Sequence, residues 1–353
     1  MKPKVFFGVL NWGLGHATRS IPLINTFIEN DFEVIIASDG EALMFLKKEF
    51  PQNTFYVLPG YNVRYPYKSI FFNIVKYLPN ILKAIFNENK IVKKLVDDIA
   101  PDLIVSDNRY GFRNNNIKSI LITHQVTLQL SNKFLTTIGT VMNKMLIRLF
   151  DELWIPDLNN NLLAGDLSKV SKRFNYKYLG ALSRFKYVNV EKKYDVAVVL
   201  SGPEPQRSYL QDIILKQFED VKMKSIIILG KIGEENEWNL NDNVKVKSYA
   251  LSDELNEIFN CSSIIISRSG YSTILDLAVL RKKAILIPTP GQSEQEYLAR
   301  YFKKNKIFYY EKQEKFDLKR SLEESKSYSG IKVENNLLNK IIEEKKTLFD
   351  SSR

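Results

Sequence analysis

The segment Asn11-Trp12-Gly13-Leu14-Gly15-His16 lies where an apolar run, Lys4–Leu10, gives way to a helical pattern over Thr18–Asn30. Glycines at 13 and 15 let the backbone approach a ligand closely, and a helix opening there presents unpaired N–H groups. His16 is one of only two histidines in the chain. Past the carboxyl end of a strand and at a helix N-terminus, it is placed to face a ligand. The positive helix end favours the neutral imidazole, which can accept a proton. A structural histidine capping the turn is the competing reading of position alone. The second histidine, His124, followed by Gln125, ends the run Ser119–Thr123 on the same rim, where it either meets a ligand or only orients its loop. Asp107, after Asp102–Ser106, joins them, although an acid at a strand end is also a common turn or N-cap residue.

A second set of residues has a different chemistry. Ser201-Gly202-Pro203 follows the run Asp195–Leu200 in the position of a phosphate loop. Ser267-Arg268-Ser269-Gly270-Tyr271-Ser272-Thr273 follows Ser263–Ser267 and leads into a helix over Ile274–Leu280. Small hydroxyl residues, a glycine and a helix start together form an anion site in which hydroxyls and backbone N–H groups cradle a diphosphate. Asp276, one turn further, is either a carboxylate for ribose hydroxyls or a surface acid favoured by the helix dipole. Gln295 and Glu296, after Pro288-Thr289-Pro290-Gly291, either read sugar hydroxyls or simply begin a helix.

These residues need a scaffold that delivers strand ends to rims, and the rest of the chain supplies it. Short β-branched runs alternate with helical patterns through both halves, the signature of parallel α/β units. At 353 residues the length favours two domains. The expected organisation is an N-terminal Rossmann-like domain over 1–183, a linker over 184–193 within the basic stretch Ala181–Lys193, a second such domain over 194–333, and a docked helix and tail over 334–353. Two doubly wound domains facing each other place a ligand in the cleft, at the carboxyl ends of the strands. A single cysteine, Cys261, excludes a disulfide framework and a cysteine-rich metal site and points to a reducing compartment. The apolar run Val5–Leu10 is too short for a secretory leader, and no stretch reaches the roughly 18 apolar residues of a membrane span.

The net charge is +11, but it is unevenly placed. Residues 1–190 carry 24 basic and 15 acidic side chains, and residues 191–353 carry 27 and 25. Within 64–94 there are seven basic residues, Arg64, Lys68, Lys76, Lys83, Lys90, Lys93 and Lys94, against the one acid Glu88. Polar residues at 69, 73, 76, 80, 83 and 87 form a narrow stripe in an otherwise apolar segment, with Pro79 expected to kink or split the helix. Such a segment is either an element facing an anionic membrane or a buried helical pair with a solvated basic rim. Nucleic acid is a poor partner, because no aromatic-basic stacking motif or zinc spacing accompanies the charge. An NAD(P)-dependent oxidoreductase would want a glycine where Thr18 stands, although Asp39 could hold a ribose.

Taken together, these residues resemble the two-domain GT-B glycosyltransferases, in particular the family 28 and family 1 branch, which contains the enzyme that adds N-acetylglucosamine to lipid I. The resemblance rests on Gly13-Leu14-Gly15-His16, on Ser267-Arg268-Ser269-Gly270 with Thr273 and Asp276, and on Gln295-Glu296-Tyr297. The Gly15-His16-Ala17-Thr18-Arg19 run is closest to a subgroup carrying those five residues and is also similar to a UDP-sugar hydrolase of the same architecture. The resemblance implies an inverting enzyme moving a hexose or N-acetylhexosamine from a nucleotide diphosphate sugar, with UDP favoured, to a hydroxyl acceptor that is lipid-linked or a cell-envelope glycan. A nucleotide-sugar hydrolase is the alternative. His16 would be the base. Arg184, Ser201, Gly202, Ser252, Arg268, Ser269, Gly270, Thr273, Asp276, Gln295 and Glu296 would hold the donor. Gly13, Gly15, Asp107, His124 and Gln125 would lie on the acceptor side. No Asp-x-Asp occurs, so metal independence is expected, with no cofactor. The location implied is cytoplasmic, or peripheral on the cytoplasmic face of the inner membrane through 64–94. Glu296 replaces a family glutamine, and Ser201-Gly202-Pro203-Glu204 departs from the family's glycine-serine loop.

Overall fold

The computed structural model describes residues 2–61, 70–129, 132–231, 236–333 and 337–351, with the side chains of 70–78 and 348–351 outside the description. Contacts divide the chain into a first unit, Met1–Ser183 with Asn335–Arg353, and a second, Arg184–Glu334. Both are α/β.

The first unit runs β1 (Lys4–Val9), α1 (Leu14–Glu29), β2 (Glu33–Ser38), α2 (Gly40–Glu49), β3 (Thr54–Val57), α3 (Ile70–Ile99), β4 (Leu103–Asp107), β5 (Ser119–Ile122), α4 (Lys133–Ile147), β6 (Glu152–Ile155) and β7 (Tyr176–Tyr178). Its seven strands are ordered β3-β2-β1-β4-β5-β6-β7, and every pairing is parallel. β1 and β4 are buried almost throughout, as strands covered by helices on both faces must be. Phe6, Ile35, Ile104, Val92 and Val96 form one core, and Leu121, Ile147, Leu153 and Ile155 another. Gly8 is obligatory in β1, since a Cβ there would lie 2.6 Å from the Phe112 ring. α3 continues through the exposed Pro79 as one helix, so the expected split does not occur; proline removes one backbone bond but leaves the flanking turns paired. Its described part is two-faced, with Ile85, Val92, Val96 and Ile99 inward and Leu82, Phe86 and Ile91 in solvent. Arg64, Lys68 and the side chain of Lys76 lie outside the described residues.

The second unit runs β8 (Tyr194–Val199), α5 (Gln206–Phe218), β9 (Ser225–Ile228), β10 (Glu237–Asn241), β11 (Val244–Lys247), α6 (Ser252–Asn260), β12 (Ser262–Ser267), α7 (Tyr271–Val279), β13 (Lys283–Leu286), α8 (Ser293–Lys304), β14 (Tyr309–Tyr310) and α9 (Leu318–Ser325). Its order is β10-β11-β9-β8-β12-β13-β14, parallel except for the edge hairpin β10–β11. Val196, Val198, Ile227, Ile266 and Ile285 centre its core. The basic stretch after Arg184 is pinned rather than free: the Lys186 amide donates to Asn256 Oδ1 at 3.1 Å, the Val188 amide to Asn260 Oδ1 at 3.0 Å, and Phe185 packs on Phe259.

The chain then returns to the first unit as α10 (Leu337–Ser351), which packs on α1. Ile341 and Ile342 are buried, and the buried Lys345 ammonium pairs with Glu152. Among the described residues no helix is long and apolar enough to cross a membrane.

Candidate functional site

Both sheets reverse their strand order at one point, between β1 and β4 in the first and between β8 and β12 in the second. At such a switch point the loops leaving adjacent strands diverge and open a crevice at the carboxyl edge. The residues singled out in the sequence gather at these two edges.

At the first, β1 leads through Gly13 into α1. Gly13 has φ +68° with open space where a Cβ would be, and its position as N-cap leaves the helix start without a side-chain cap. Gly15 and His16 lie in the first turn of α1. The β1–β4 register sets Asp107 beside Val9, directly under that turn. His16 Nδ1 is 3.0 Å from Asp107 Oδ1. Arg19, three residues further on the same helix face, donates from Nε to Asp107 Oδ2 at 2.9 Å and from its NH2 group to Oδ1. Ser20 Oγ donates to Oδ2 at 3.0 Å. Arg19 also lies 3.1 Å from Nδ1 of His124, which the end of β5 supplies. Burial raises the Asp107 carboxyl, but the Arg19 guanidinium and His16 outweigh it and hold the group well below the usual carboxylate range.

This geometry corrects the expectation that Asp107 touches an acceptor. Its carboxylate is fully buried, with both oxygens engaged, so it stands behind His16 and orients the ring. His124 is nearly buried and Gln125 is partly exposed; the Gln125 carbonyl is fixed by Asn143 Nδ2 at 2.6 Å. Arg19 had no assigned role in the sequence reading. Its i, i+3 spacing from His16 was the available signal. A second buried network lies alongside. Arg109 pairs with Glu88 and, at 2.6 Å, with Asp39 Oδ1, while Asn11 Nδ2 holds Asp39 Oδ2 at 3.2 Å. Asp39 is thus tied on both oxygens, and the ribose contact a dehydrogenase would need there is taken.

The second edge is built from neutral donors. Ser201 and Gly202 leave β8 exposed, with Gly202 at φ +107° and Thr289 Oγ1 3.6 Å from where its Cβ would be. Gly270 is the N-cap of α7 and Gln292 that of α8, and neither helix start is capped by a side chain, whereas Asn132 caps α4 and Asp317 caps α9. Thr289 Oγ1 and Ser267 Oγ are buried with no hydrogen-bond partner among the described residues. Thr273 and Asp276 are half-buried on α7, and Ser252 opens α6.

Several donor candidates are turned inward. Arg268 is buried, and its guanidinium donates to the carbonyls of Ile287 and Pro288 at 3.2 Å and of Gln206 at 2.8 Å. It ties three loops together rather than meeting a phosphate; burial lowers its pKa to about 10. Ser269 Oγ donates to the Gln295 carbonyl at 2.8 Å, Gln295 Oε1 accepts from the Thr289 amide at 2.9 Å, and Glu296 Oε1 accepts from the Gly291 amide at 3.0 Å. These side chains shape loop 288–292. Glu204 occupies the start of α5 with its own carboxylate, accepting from Ser208 Oγ at 2.8 Å, so an anion is left Ser201, Gly202 and the α7 and α8 ends. Arg184 is half-exposed, with its guanidinium 5.0 Å from the Phe185 ring centre.

Two parallel sheets with helices, each with ligand-type residues at its switch point, define the GT-B architecture. Residues 197–341 match the glycosyltransferase family 28 C-terminal domain. The chain is 25% identical over 292 residues to the UDP-N-acetylglucosamine–N-acetylmuramyl-(pentapeptide) pyrophosphoryl-undecaprenol N-acetylglucosamine transferase of Clostridium botulinum, covering 78% of this chain and 75% of that one. Among solved structures, the glycotransferase of kitacinnamycin superposes with a TM-score of 0.66 at 13% identity, over 98% of this chain and 95% of that one. Acinetobacter baumannii MurG superposes with a TM-score of 0.61 at 11% identity, over 97% and 99%. The chain is a GT-B glycosyltransferase, and it resembles the enzymes that glycosylate lipid I.

Proposed function

We propose that this glycosyltransferase moves N-acetylglucosamine, or a closely related hexose, from a UDP-sugar to a hydroxyl of a lipid-linked acceptor, with inversion and without a metal. The observation that carries the reading is His16 Nδ1 held at 3.0 Å by the buried Asp107 carboxylate, which leaves Nε2 as the nitrogen able to take a proton. The acceptor hydroxyl loses its proton to His16 as it attacks the anomeric carbon from the face opposite the leaving group. The nucleoside diphosphate departs onto the uncapped starts of α7 and α8, Ser201 and Thr289, with Arg184 nearby in sequence to the first unit. Fixed donors aimed at developing charge are usually the largest single contribution to such a step. In this reading the first unit binds acceptor through Gly13, Gly15, His124 and Gln125, and the second binds donor, with Asp276 on ribose and Ser252 near the base.

The membrane reading has support of its own. In α3, Leu82, Phe86 and Ile91 are exposed beside Lys83, Lys90, Lys93 and Lys94, and in α4 Phe134, Ile138, Val141 and Met145 form an exposed stripe flanked by Lys133, Lys144 and Arg148. Apolar side chains backed by lysines suit an anionic bilayer surface, which supports a peripheral position where a lipid-linked acceptor is reached. Replacing Lys83, Lys90, Lys93 and Lys94 by Gln is expected to release the protein from anionic vesicles, and undiminished binding would reject this face.

Thermal stabilisation by a panel of UDP-, GDP- and dTDP-sugars tests the donor. A UDP-sugar at about a hundredfold excess over its Kd stabilises by roughly 2.7 kcal/mol. Equal shifts from all three nucleotides, or none, would contradict a uracil-selective site, and loss of turnover in EDTA would contradict metal independence.

A further inference from the structure

Arg19 touches both histidines of the chain and the acid between them. The guanidinium is buried, donor-only and charged at any working pH. Its NH1 group lies 3.1 Å from His124 Nδ1, so that nitrogen must be the unprotonated one, and the His124 proton sits on Nε2. His16 has the opposite surroundings. Its Nδ1 faces Asp107 Oδ1, an acceptor-only oxygen at 3.0 Å, and a charge-assisted bond from Nδ1–H to a carboxylate is about twice as strong as a neutral one. Arg19 NH2 is 2.9 Å from the same Nδ1 but also donates to Asp107, so its hydrogens have a charged acceptor available.

We propose that Arg19 is a positioning residue that gives the two histidines opposite proton assignments: His124 is fixed as an Nε2–H donor, and His16 carries its proton on Nδ1, which makes Nε2 its basic nitrogen. The second half rests on the function proposed above. Arg19 from its own helix and Asp107 from β4 both face His16, and His124 from the end of β5 is reached through Arg19. Arg19 neutralises Asp107. An imidazolium at 16 therefore meets a balanced ion pair, not a lone carboxylate. His124, unable to take a second proton without displacing the guanidinium, is thereby held as a donor.

Histidine-selective 15N NMR of the full chain reads this directly, because only two imidazoles contribute. His124→Gln assigns the signals. Expected are an Nε2–H pattern for His124 that does not change between about pH 5 and 8, and an Nδ1–H pattern for His16. In Arg19→Met, His124 should titrate, and the acid limb of the rate profile should move up by at least about one pH unit, because the Asp107 charge is no longer balanced. Arg19→Lys keeps the charge but not the fork, so it should free His124 while leaving the acid limb near its original position. A wild-type His124 that titrates ordinarily or shows Nδ1–H would overturn the proposal, as would unchanged patterns in a folded Arg19→Met. Should that variant not fold, the wild-type and Arg19→Lys spectra decide. If the chain transfers no sugar yet the two assignments hold, the proton placement stands and only the catalytic reading fails.

Discussion

The two switch points share a topology but solve different problems. At the β1–β4 edge the buried charges among the described residues are paired: Asp107 receives Arg19, His16 and Ser20, and Arg109 donates to Glu88 and Asp39. At the β8–β12 edge the uncapped helix starts offer neutral hydroxyls and backbone N–H groups, and Thr289 Oγ1 and Ser267 Oγ have no hydrogen-bond partner among the described residues. Proton transfer needs a ring whose orientation and charge are fixed before substrate arrives. Binding a diphosphate needs donors that are left open for it. Disturbing the first edge should therefore cost rate or fold stability, and disturbing the second should cost ligand.

That contrast can be broken in graded steps. The largest effect is expected from His16→Ala, which should lower turnover by about 10²–10⁴-fold, with UDP affinity measured by titration unchanged. A small change in kcat would show that another group takes the proton. Asp107→Asn leaves the buried Arg19 without its counter-charge and should cost about 3–5 kcal/mol in chemical denaturation. The pH dependence follows in sign. The folded Asp107 carboxyl titrates below its unfolded value, so its contribution is complete above roughly pH 4 and is lost as pH falls toward the folded value. The acid limb of stability should flatten in the Asn variant. Thr289→Val, at the second edge, should do the reverse: stability is kept or slightly raised, because the hydroxyl lost is buried and unpartnered, while UDP-sugar affinity falls by about fivefold to tenfold. The smallest effect on donor binding belongs to Gly202→Ala, which should weaken it less than Thr289→Val does, while a side chain at φ +107° costs about 1–2 kcal/mol of stability.

Much of the fold was legible because its strands are short apolar runs ending in Gly, Pro or Asp. β1 and β5 end within a residue of the runs Lys4–Leu10 and Ser119–Thr123, and β8 and β12 lie within a residue of Asp195–Leu200 and Ser263–Ser267. β7 and β10 leave no such signal, since Tyr176-Lys177-Tyr178 and Glu237–Asn241 are edge strands with little aliphatic content. The apolar stripe of α4 at 134, 138, 141 and 145 has helical spacing, but it faces outward and not to the core. At the site, type and position located His16, His124 and Asp107 on one rim. What sequence could not give was direction. Asp107 and Arg268 look like ligand contacts by type, but burial turns each toward protein, and Arg19 reads as an ordinary helix residue until the β1–β4 register sets it against Asp107.

The central claim is sugar transfer with His16 as base. The direct test is to incubate the protein with UDP-N-acetylglucosamine, with and without a polyprenyl-pyrophosphoryl-N-acetylmuramyl acceptor in anionic vesicles, and to quantify glycosylated lipid, free sugar and UDP together. The prediction is UDP release that depends on acceptor and matches glycosylated lipid one for one. Free sugar formed at the full rate without acceptor would contradict it and make the same histidine a base for water.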